Sequence, residues 1–231
     1  MIKDQLNRTS IRSYLPKKIE KSKVDILKKV INASPTAKNF QCFSAIFITN
    51  KTTKEKLSKI NWNQKHIIDA PLVILFCADN NRIDMCTNKT THTNEEYVWA
   101  AIDATIAATN AVNAAIELGL GTCYLGGIRF QADTITKILN LKGSITPILG
   151  LCVGYPNKIA PKRPKINKCY DEKYFLTKVK QEMKEYDKLM LNYYKKVFNK
   201  DYTFTTVNKK SIDKFDTTRN KQILKKQFKV E

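Results

Sequence analysis

Histidine is almost missing from this chain, with only His66 and His92 among 231 residues, so a histidine-based metal centre has almost no material. Cysteine occurs six times, at 42, 77, 86, 123, 152 and 169, but never as a C-x-x-C pair. Four of the six sit inside apolar runs where a small hydrophobe serves, which favours reduced packing cysteines over disulfides or metal ligands. There is no G-x-S-x-G elbow, no Walker loop and no G-x-G-x-x-G fingerprint, which argues against nucleophilic and nucleoside-triphosphate chemistry. Nor is there a long uncharged apolar run. The most apolar stretch, residues 98–120, contains Asp103, Asn110, Asn113 and Glu117 and reads as a buried helix, not a membrane span. The start, Met1-Ile2-Lys3-Asp4-Gln5-Leu6, indicates neither a signal nor a transit peptide, so a cytoplasmic protein is expected. Acid is scarce, with 21 Asp and Glu against 41 Lys and Arg and a net charge of +20. Such an excess would ordinarily suggest nucleic acid. Lysine is spread over the whole chain, however, without a recognition-helix, zinc-finger or ribonucleoprotein pattern, so it reads as a solvated surface whose positive field attracts phosphorylated cofactors.

What is present organises into one domain with an appended segment, since 42% hydrophobic residues supply a single core. Val24, Leu27, Val30 and Ile31 define one face of a helix over 21–32, which stops before Ser34-Pro35 because proline disfavours helix in the residue ahead of it. Strands are expected at 42–49, 71–78, 122–125 and 147–155, and the second is continuously apolar, as a strand covered on both faces should be. A long alanine-rich helix, about 94–118, ends at Gly119 and Gly121, and a shorter one spans 133–139. Burial of a sheet on both sides by helices gives an α/β or α+β layered fold. Only seven glycines are present, and their clustering between 119 and 154 suggests backbone approach to a ligand. After Phe175 the pattern changes. Met183, Tyr186, Leu189, Met190 and Tyr193 share a helical face, and the remainder to 231 turns polar and lysine-rich. That tail has too little apolar surface to fold alone and should pack on the core or on a partner subunit.

Four clusters could hold a phosphorylated, planar ligand. In Arg8-Thr9-Ser10-Ile11-Arg12 an extended backbone turns Arg8, Ser10 and Arg12 to one side, suited to a phosphate or an electron-rich ring edge; an exposed basic stretch would read the same. Residues 34–41, Ser-Pro-Thr-Ala-Lys-Asn-Phe-Gln, offer hydroxyl and amide groups between a helix and a strand, as a plain turn also would. Tyr124-Leu125-Gly126-Gly127 closes a strand with a glycine pair that admits a flat ligand or makes a tight turn. Finally, prolines hold Lys162, Arg163 and Lys165 in an extended basic loop, either a phosphate clamp or solvated charge.

Taken in order, these clusters resemble the nitroreductase superfamily, most closely the oxygen-insensitive major nitroreductase and NADPH-flavin oxidoreductase branch. The resemblance rests on Arg8-Thr-Ser-Ile-Arg12, Ser34-Pro-Thr-Ala-Lys-Asn-Phe-Gln-Cys42, Gln64-Lys-His66 and Phe76-Cys-Ala-Asp79. It continues in Leu118-Gly-Leu-Gly-Thr-Cys-Tyr-Leu-Gly-Gly-Ile-Arg129, Gly150-Leu-Cys-Val-Gly-Tyr-Pro156, Tyr186-Asp187 and Tyr193-Tyr194, and so covers nearly the whole chain.

It implies an α+β fold with a mostly antiparallel or mixed sheet flanked by helices, a flavin-binding core over 1–176 and a helical extension over 177–231 that embraces the partner of a homodimer. It further implies FMN as cofactor, NADPH or NADH as electron donor, and ping-pong transfer to nitroaromatics, quinones or flavins; a dedicated flavin reductase is the alternative, and a non-catalytic basic nucleic-acid-binding protein a more distant one. No protein side chain is expected to be catalytic, because flavin N5 carries the hydride chemistry. By the resemblance, Arg8 and Ser10 meet the phosphate and ribityl end, and Arg12 the pyrimidine edge. Thr36, Lys38, Asn39 and Gln41 come from the partner, Gln64 lies near the ring edge, and Tyr124 and Leu125 lead to a backbone that bonds near N5 at Gly126 and Gly127. One or more of Lys162, Arg163 and Lys165 complete the phosphate clamp. Lys195, Lys196 and Lys200 stand where relatives of this branch hold the 2′-phosphate of NADPH with arginines.

Overall fold

The computed structural model describes residues 2–88 and 91–212. Helices α1 (Ile2–Asn7) and α2 (Lys21–Asn32) lead into strand β1 (Phe43–Ile48), followed by α3 (Lys51–Ile60), α4 (Lys65–Asp69) and β2 (Leu72–Asp79). Helix α5 (Asn81–Thr87) and the long α6 (Asn94–Glu117) precede β3 (Gly121–Leu125), a 3-10 turn over Gly126–Gln131, α7 (Ala132–Ile138) and β4 (Ile145–Gly154). Helices α8 (Leu176–Phe198) and α9 (Phe204–Ile212) follow. The described residues fall in two compact units, one within Met1–Ala160 and one within Pro161–Thr217.

The first unit is built on β2. Every residue of this strand is buried, and its side chains alternate strictly between two cores. Leu72, Ile74, Phe76 and Ala78 pack with α2 and α6, whereas Val73, Leu75 and Cys77 pack with Leu57 of α3, Ile67 of α4 and Ile135 of α7. Each fully buried aliphatic or aromatic side chain contributes about 1.5–3 kcal/mol, so neither face can be opened cheaply. The sheet order is β1-β2-β4-β3, and every pairing among the described residues is antiparallel. The fold is therefore α+β.

Helix α6 lies flat against this sheet because its inner face is mostly alanine: Ala100, Ala104, Ala107, Ala108, Ala111 and Ala115 are all buried. It begins with a reciprocal cap between Thr93 and Glu96 and ends before Gly119, whose φ of 73° suits a left-handed C-terminal residue. Among the described helices five escaped periodicity: α1, α3, α4, α5 and α9. The 10-residue α3 had a readable start, since the Asn50 side chain accepts a hydrogen bond from the Thr53 N–H at 2.9 Å.

Gly121 does not share in ending α6. It opens β3 opposite Gly154, and the pair forms a shallow saddle for the N-terminal segment. A Cβ on Gly121 would stand 2.7 Å from the Ile11 side chain, and one on Gly154 2.5 Å from Pro71 and 2.9 Å from Tyr14. Across this saddle the Ile11 N–H bonds Thr122 O and the Leu15 N–H bonds Tyr155 O, both at 2.9 Å. The glycine clustering thus serves close approach, but at these positions the chain approaches itself and not a ligand. All six cysteines are free, and Cys42, Cys77, Cys123 and Cys152 are buried; burial pushes the Cys42 thiol up to about 11.

In the second unit Tyr186 and Met190 form the buried stripe of α8, with the Tyr186 ring 5.2 Å from that of Phe204 on α9. Tyr186 donates to Pro164 O at 2.9 Å, which ties the 161–165 loop to this helix, and the unit therefore begins at Pro161, ahead of the expected change near Phe175. Residues 213–231 of the expected extension lie outside the described residues.

A Gly154→Ala substitution should lower stability by about 1–3 kcal/mol, because its Cβ meets a proline ring that cannot rotate away. Gly126→Ala, which meets only Arg129 Nη1 at 3.6 Å, should leave the urea midpoint nearly in place.

Candidate functional site

The saddle decides where the first basic cluster points. Ile11 is buried and Thr9 turns its hydroxyl into the interior, where it finds no hydrogen-bond partner. Period-two alternation sends Arg8, Ser10 and Arg12 the other way. The Arg8 guanidinium lies over the Tyr124 ring, 5.6 Å from its centroid. Burial pushes the Cys123 thiol up, while the positive charges of Arg12 and Arg8 and the Ser10 hydroxyl beside it oppose the rise. His66 is buried behind them, its Nε2 3.9 Å from Cys123 Sγ, and burial aided by the positive charge of Arg12 lowers its pKa. The expected N-terminal cluster, the Gln64-Lys-His66 motif and the end of β3 therefore meet.

Gln64 caps α4 at the end of a tight turn that sequence reading passed over. Asn61 is buried and bonds Leu57 O through both its main-chain N–H, at 3.2 Å, and its side chain, at 3.0 Å; Ser58 Oγ donates to Gln64 O at 3.0 Å. Between these anchors Trp62 and Asn63 both adopt left-handed φ values, 54° and 53°. The Trp62 ring and Asn61 Oδ1 press on Gly127 where a Cβ would stand, so Gly127 is glycine in order to admit them. Gly126 carries no such load, and its carbonyl accepts from Arg129 Nη1 at 3.0 Å. A lone tryptophan between two asparagines, just ahead of a helix, was the available signal.

The 34–41 loop is held elsewhere, on α6. The Ala37 N–H donates to both carboxylate oxygens of the buried Asp103, at 3.1 and 3.3 Å, and Asn110 Nδ2 donates to Ser34 Oγ at 2.9 Å. Burial raises the Asp103 pKa, and the Ala37 N–H opposes the rise. Trp99 packs against Phe40 with ring centroids 5.9 Å apart and lies 5.3 Å from Lys38 Nζ. Gripped this way, Lys38, Asn39 and Gln41 all take left-handed φ values, 48°, 59° and 57°. Each costs about 1–2 kcal/mol for a residue with a Cβ, which the bonds to α6 offset. Gln41 Nε2 donates to Thr36 Oγ1 at 3.1 Å. These contacts run to α6 and within the loop, not to the Arg8–Arg12 segment.

The remaining expected residues belong to the second unit. Arg163 lies over Tyr193 and Tyr194, 5.9 and 5.8 Å from their centroids, and Lys162 and Lys165 are exposed beside it. Lys195 forms an ion pair with Asp201 at 3.0 Å, Lys200 lies over the Tyr202 ring at 5.6 Å, and Lys196 is exposed. Among the described residues no group of three His, Cys, Asp or Glu could hold a metal ion.

The lowered pKa of His66 has a definite sign for stability. The unfolded chain takes up the proton first, so the contribution of the buried neutral imidazole is present above the ordinary value of 6.5 and is lost as pH falls through the lowered folded value. Urea midpoints should therefore fall more steeply below pH 6.5 for the wild type than for His66→Gln.

The profile of the Nitroreductase family matches residues 6–79 and 59–155, the stretch that contains all of these features of the first unit. The chain is 32% identical over 206 residues to a Bacillus subtilis protein named FMN reductase (NADPH), covering 84% of this chain and 83% of that one. It is 30% identical to an oxygen-insensitive NADPH nitroreductase of Salmonella typhimurium over 158 residues, 68% of this chain and 66% of the relative. Among solved structures, B. megaterium NfrA2 superposes with a TM-score of 0.92 at 29% identity, covering 98% of this chain and 96% of the other. The hypothetical oxidoreductase YcnD from Bacillus subtilis gives 0.93 at 27% identity, covering 100% and 98%. With its profile, two-layered helix cover and basic N-terminal segment in agreement, the chain belongs to the nitroreductase family.

Proposed function

We propose that the protein is an FMN-dependent oxidoreductase that takes electrons from NADPH or NADH and delivers them to nitroaromatics, quinones or flavins. The observation that carries this reading is that Arg8 lies over the Tyr124 ring, Arg12 and Ser10 lie beside Cys123, and His66, two residues from Gln64, meets the same thiol. The donor set fits an anionic, flat group: among the described residues neither arginine is in an ion pair, and Arg8 already lies over an aromatic ring. When bound, the flavin supplies the hydride chemistry, and no protein nucleophile is needed.

The chain's own residues bind and tune. Arg8 and Ser10 hold the phosphate and ribityl end, while Arg12 faces the pyrimidine edge and stabilises negative charge gained there on reduction. Gln64 and the main chain at Gly126 and Gly127, following Tyr124 and Leu125, supply neutral hydrogen bonds. Thr36, Lys38, Asn39 and Gln41 serve the site of the partner subunit, which agrees with their being tied to α6 and not to Arg8–Arg12. Lys162, Arg163 and Lys165 are the further cations suited to a phosphate. Lys196 and Lys200 meet the 2′-phosphate of NADPH, with Lys195 the weaker candidate because Asp201 already neutralises it. The relatives named FMN reductase favour free flavin as the acceptor in a second reading.

A homodimer is supported by the outer face of α6. Val98 and Ile102 are 43% and 52% exposed there, and Tyr97, Ala101, Ile106 and Thr109 line the same open groove of about 450 Å³. No described helix is long and apolar enough to cross a membrane, which accords with a cytoplasmic place of work.

The purified protein should be yellow, or become so with FMN, and should bleach when NADPH or NADH is added without oxygen. A colourless protein that takes up no FMN and is retained on DNA in a salt-dependent way would overturn the reading. Ile102→Asp should convert the dimer to monomer in light scattering, and an unchanged mass would remove α6 from the interface.

A further inference from the structure

We propose that Trp62 is a specificity-determining residue, forming the side wall against which flat aromatic electron acceptors stack; this rests on the flavin-site reading above. Three independent features of the Asn61–Gln64 turn point there. First, Trp62 is 65% exposed although it is anchored on both sides, by the buried Asn61 before it and by the Ser58–Gln64 hydrogen bond after it. Its exposure is thus imposed by an ordered turn. Second, both Trp62 and Asn63 hold left-handed φ values that glycine would adopt without cost, yet the chain places its bulkiest side chain there. Third, Gly127 has no room for a Cβ because the Trp62 ring and Asn61 Oδ1 occupy that space. Asn61 is 1% exposed, and its Oδ1 has no hydrogen-bond partner.

The consequence is an indole seated beside the Gly126-Gly127 turn and two residues from Gln64. An aromatic acceptor reduced at this site then has a second ring surface beside it, and offset or edge-on ring contacts strengthen its binding. Small inorganic acceptors gain nothing from such a wall. NADPH gives up one hydride equivalent in either case: with a proton from solvent it converts a quinone to the hydroquinone, whereas two ferricyanide ions take the two electrons singly and the proton is released.

The test uses the full-length protein reconstituted with FMN. Without NADPH nothing turns over, so quenching of tryptophan emission by 4-nitrobenzamide reports binding alone. Quenching should be saturable in Trp99→Phe, which retains only Trp62. In turnover, Trp62→Gly should raise the KM for 2-methyl-1,4-naphthoquinone about tenfold, Trp62→Phe should stay within about threefold of the wild type, and the KM for ferricyanide should move less than about twofold in either. Because glycine suits the left-handed backbone, Trp62→Gly should fold at least as well as the wild type, which a urea titration checks. Retained FMN with an unchanged quinone KM, equal rises for quinone and ferricyanide, or no saturable quenching in Trp99→Phe would each overturn the assignment of Trp62 alone. Failure to take up FMN would overturn the functional reading and this one with it.

Discussion

Main-chain hydrogen bonds from Ile11 to Thr122 and from Leu15 to Tyr155 fix a short extended segment on the outer edge of the sheet, and the rest of the candidate site depends on that attachment. Because the segment is extended and Ile11 is buried, Arg8, Ser10 and Arg12 share the opposite side of the segment, Arg12 exposed and Arg8 and Ser10 half-buried. Because Gly121 and Gly154 have no side chains, the segment can lie close enough to make those bonds. The arginines are therefore placed by packing, without an acidic partner among the described residues, and their charge is available to an anion. A carboxylate at the same place would position a guanidinium equally well and cancel it.

Much of this fold was legible in the sequence because burial has a period. The helix over 21–32 matches α2 residue for residue, and the four strands fall within a few residues of their expected places, since alternation between two buried faces leaves an apolar run with no polar interruption. The short helices left no such trace. Helix α4 has five residues and α5 seven, too few turns to build a stripe, and α3 buries Lys54, whose Nζ reaches the carbonyls of Ile68 and Ala70 at 3.1 and 2.6 Å. A buried lysine reads as surface in any periodicity argument. The site was legible in pieces for a similar reason. Its basic and amide residues stand out as short motifs, but what joins them does not: Asp103 lies 66 positions from Ala37, and Cys123 lies 57 from His66. The glycine cluster was the misleading signal, because a missing Cβ announces close approach without saying what approaches.

The lysine-rich surface and the site are separate matters. Of the cations expected to bind ligands, Lys38, Arg163 and Lys200 lie over aromatic rings and Lys195 is paired with an acid, so their positions are set by specific contacts inside the protein. A long-range field of +20 raises the local concentration of anionic nucleotides near the whole molecule, but it falls off within about 10 Å in ordinary salt. Discrimination between a phosphate and any other anion has to come from geometry at contact range, which is where guanidinium groups with fixed donor directions differ from lysines.

Backbone strain supplies the last link between fold and site. Nine described non-glycine residues have positive φ, and five of them, Lys38, Asn39, Gln41, Trp62 and Asn63, lie in the two loops that carry polar site residues. Such conformations persist only where the surroundings over-determine them. In one loop the determinants are Asp103, Trp99 and Asn110 on α6; in the other they are Asn61, Ser58 and the bare Cα of Gly127. Both sets are anchored in the packed cores on either side of β2. The strain is thus sustained by the burial that makes the sheet, and the turn held this way leaves Trp62 65% exposed, with one edge of its ring against the bare Cα of Gly127.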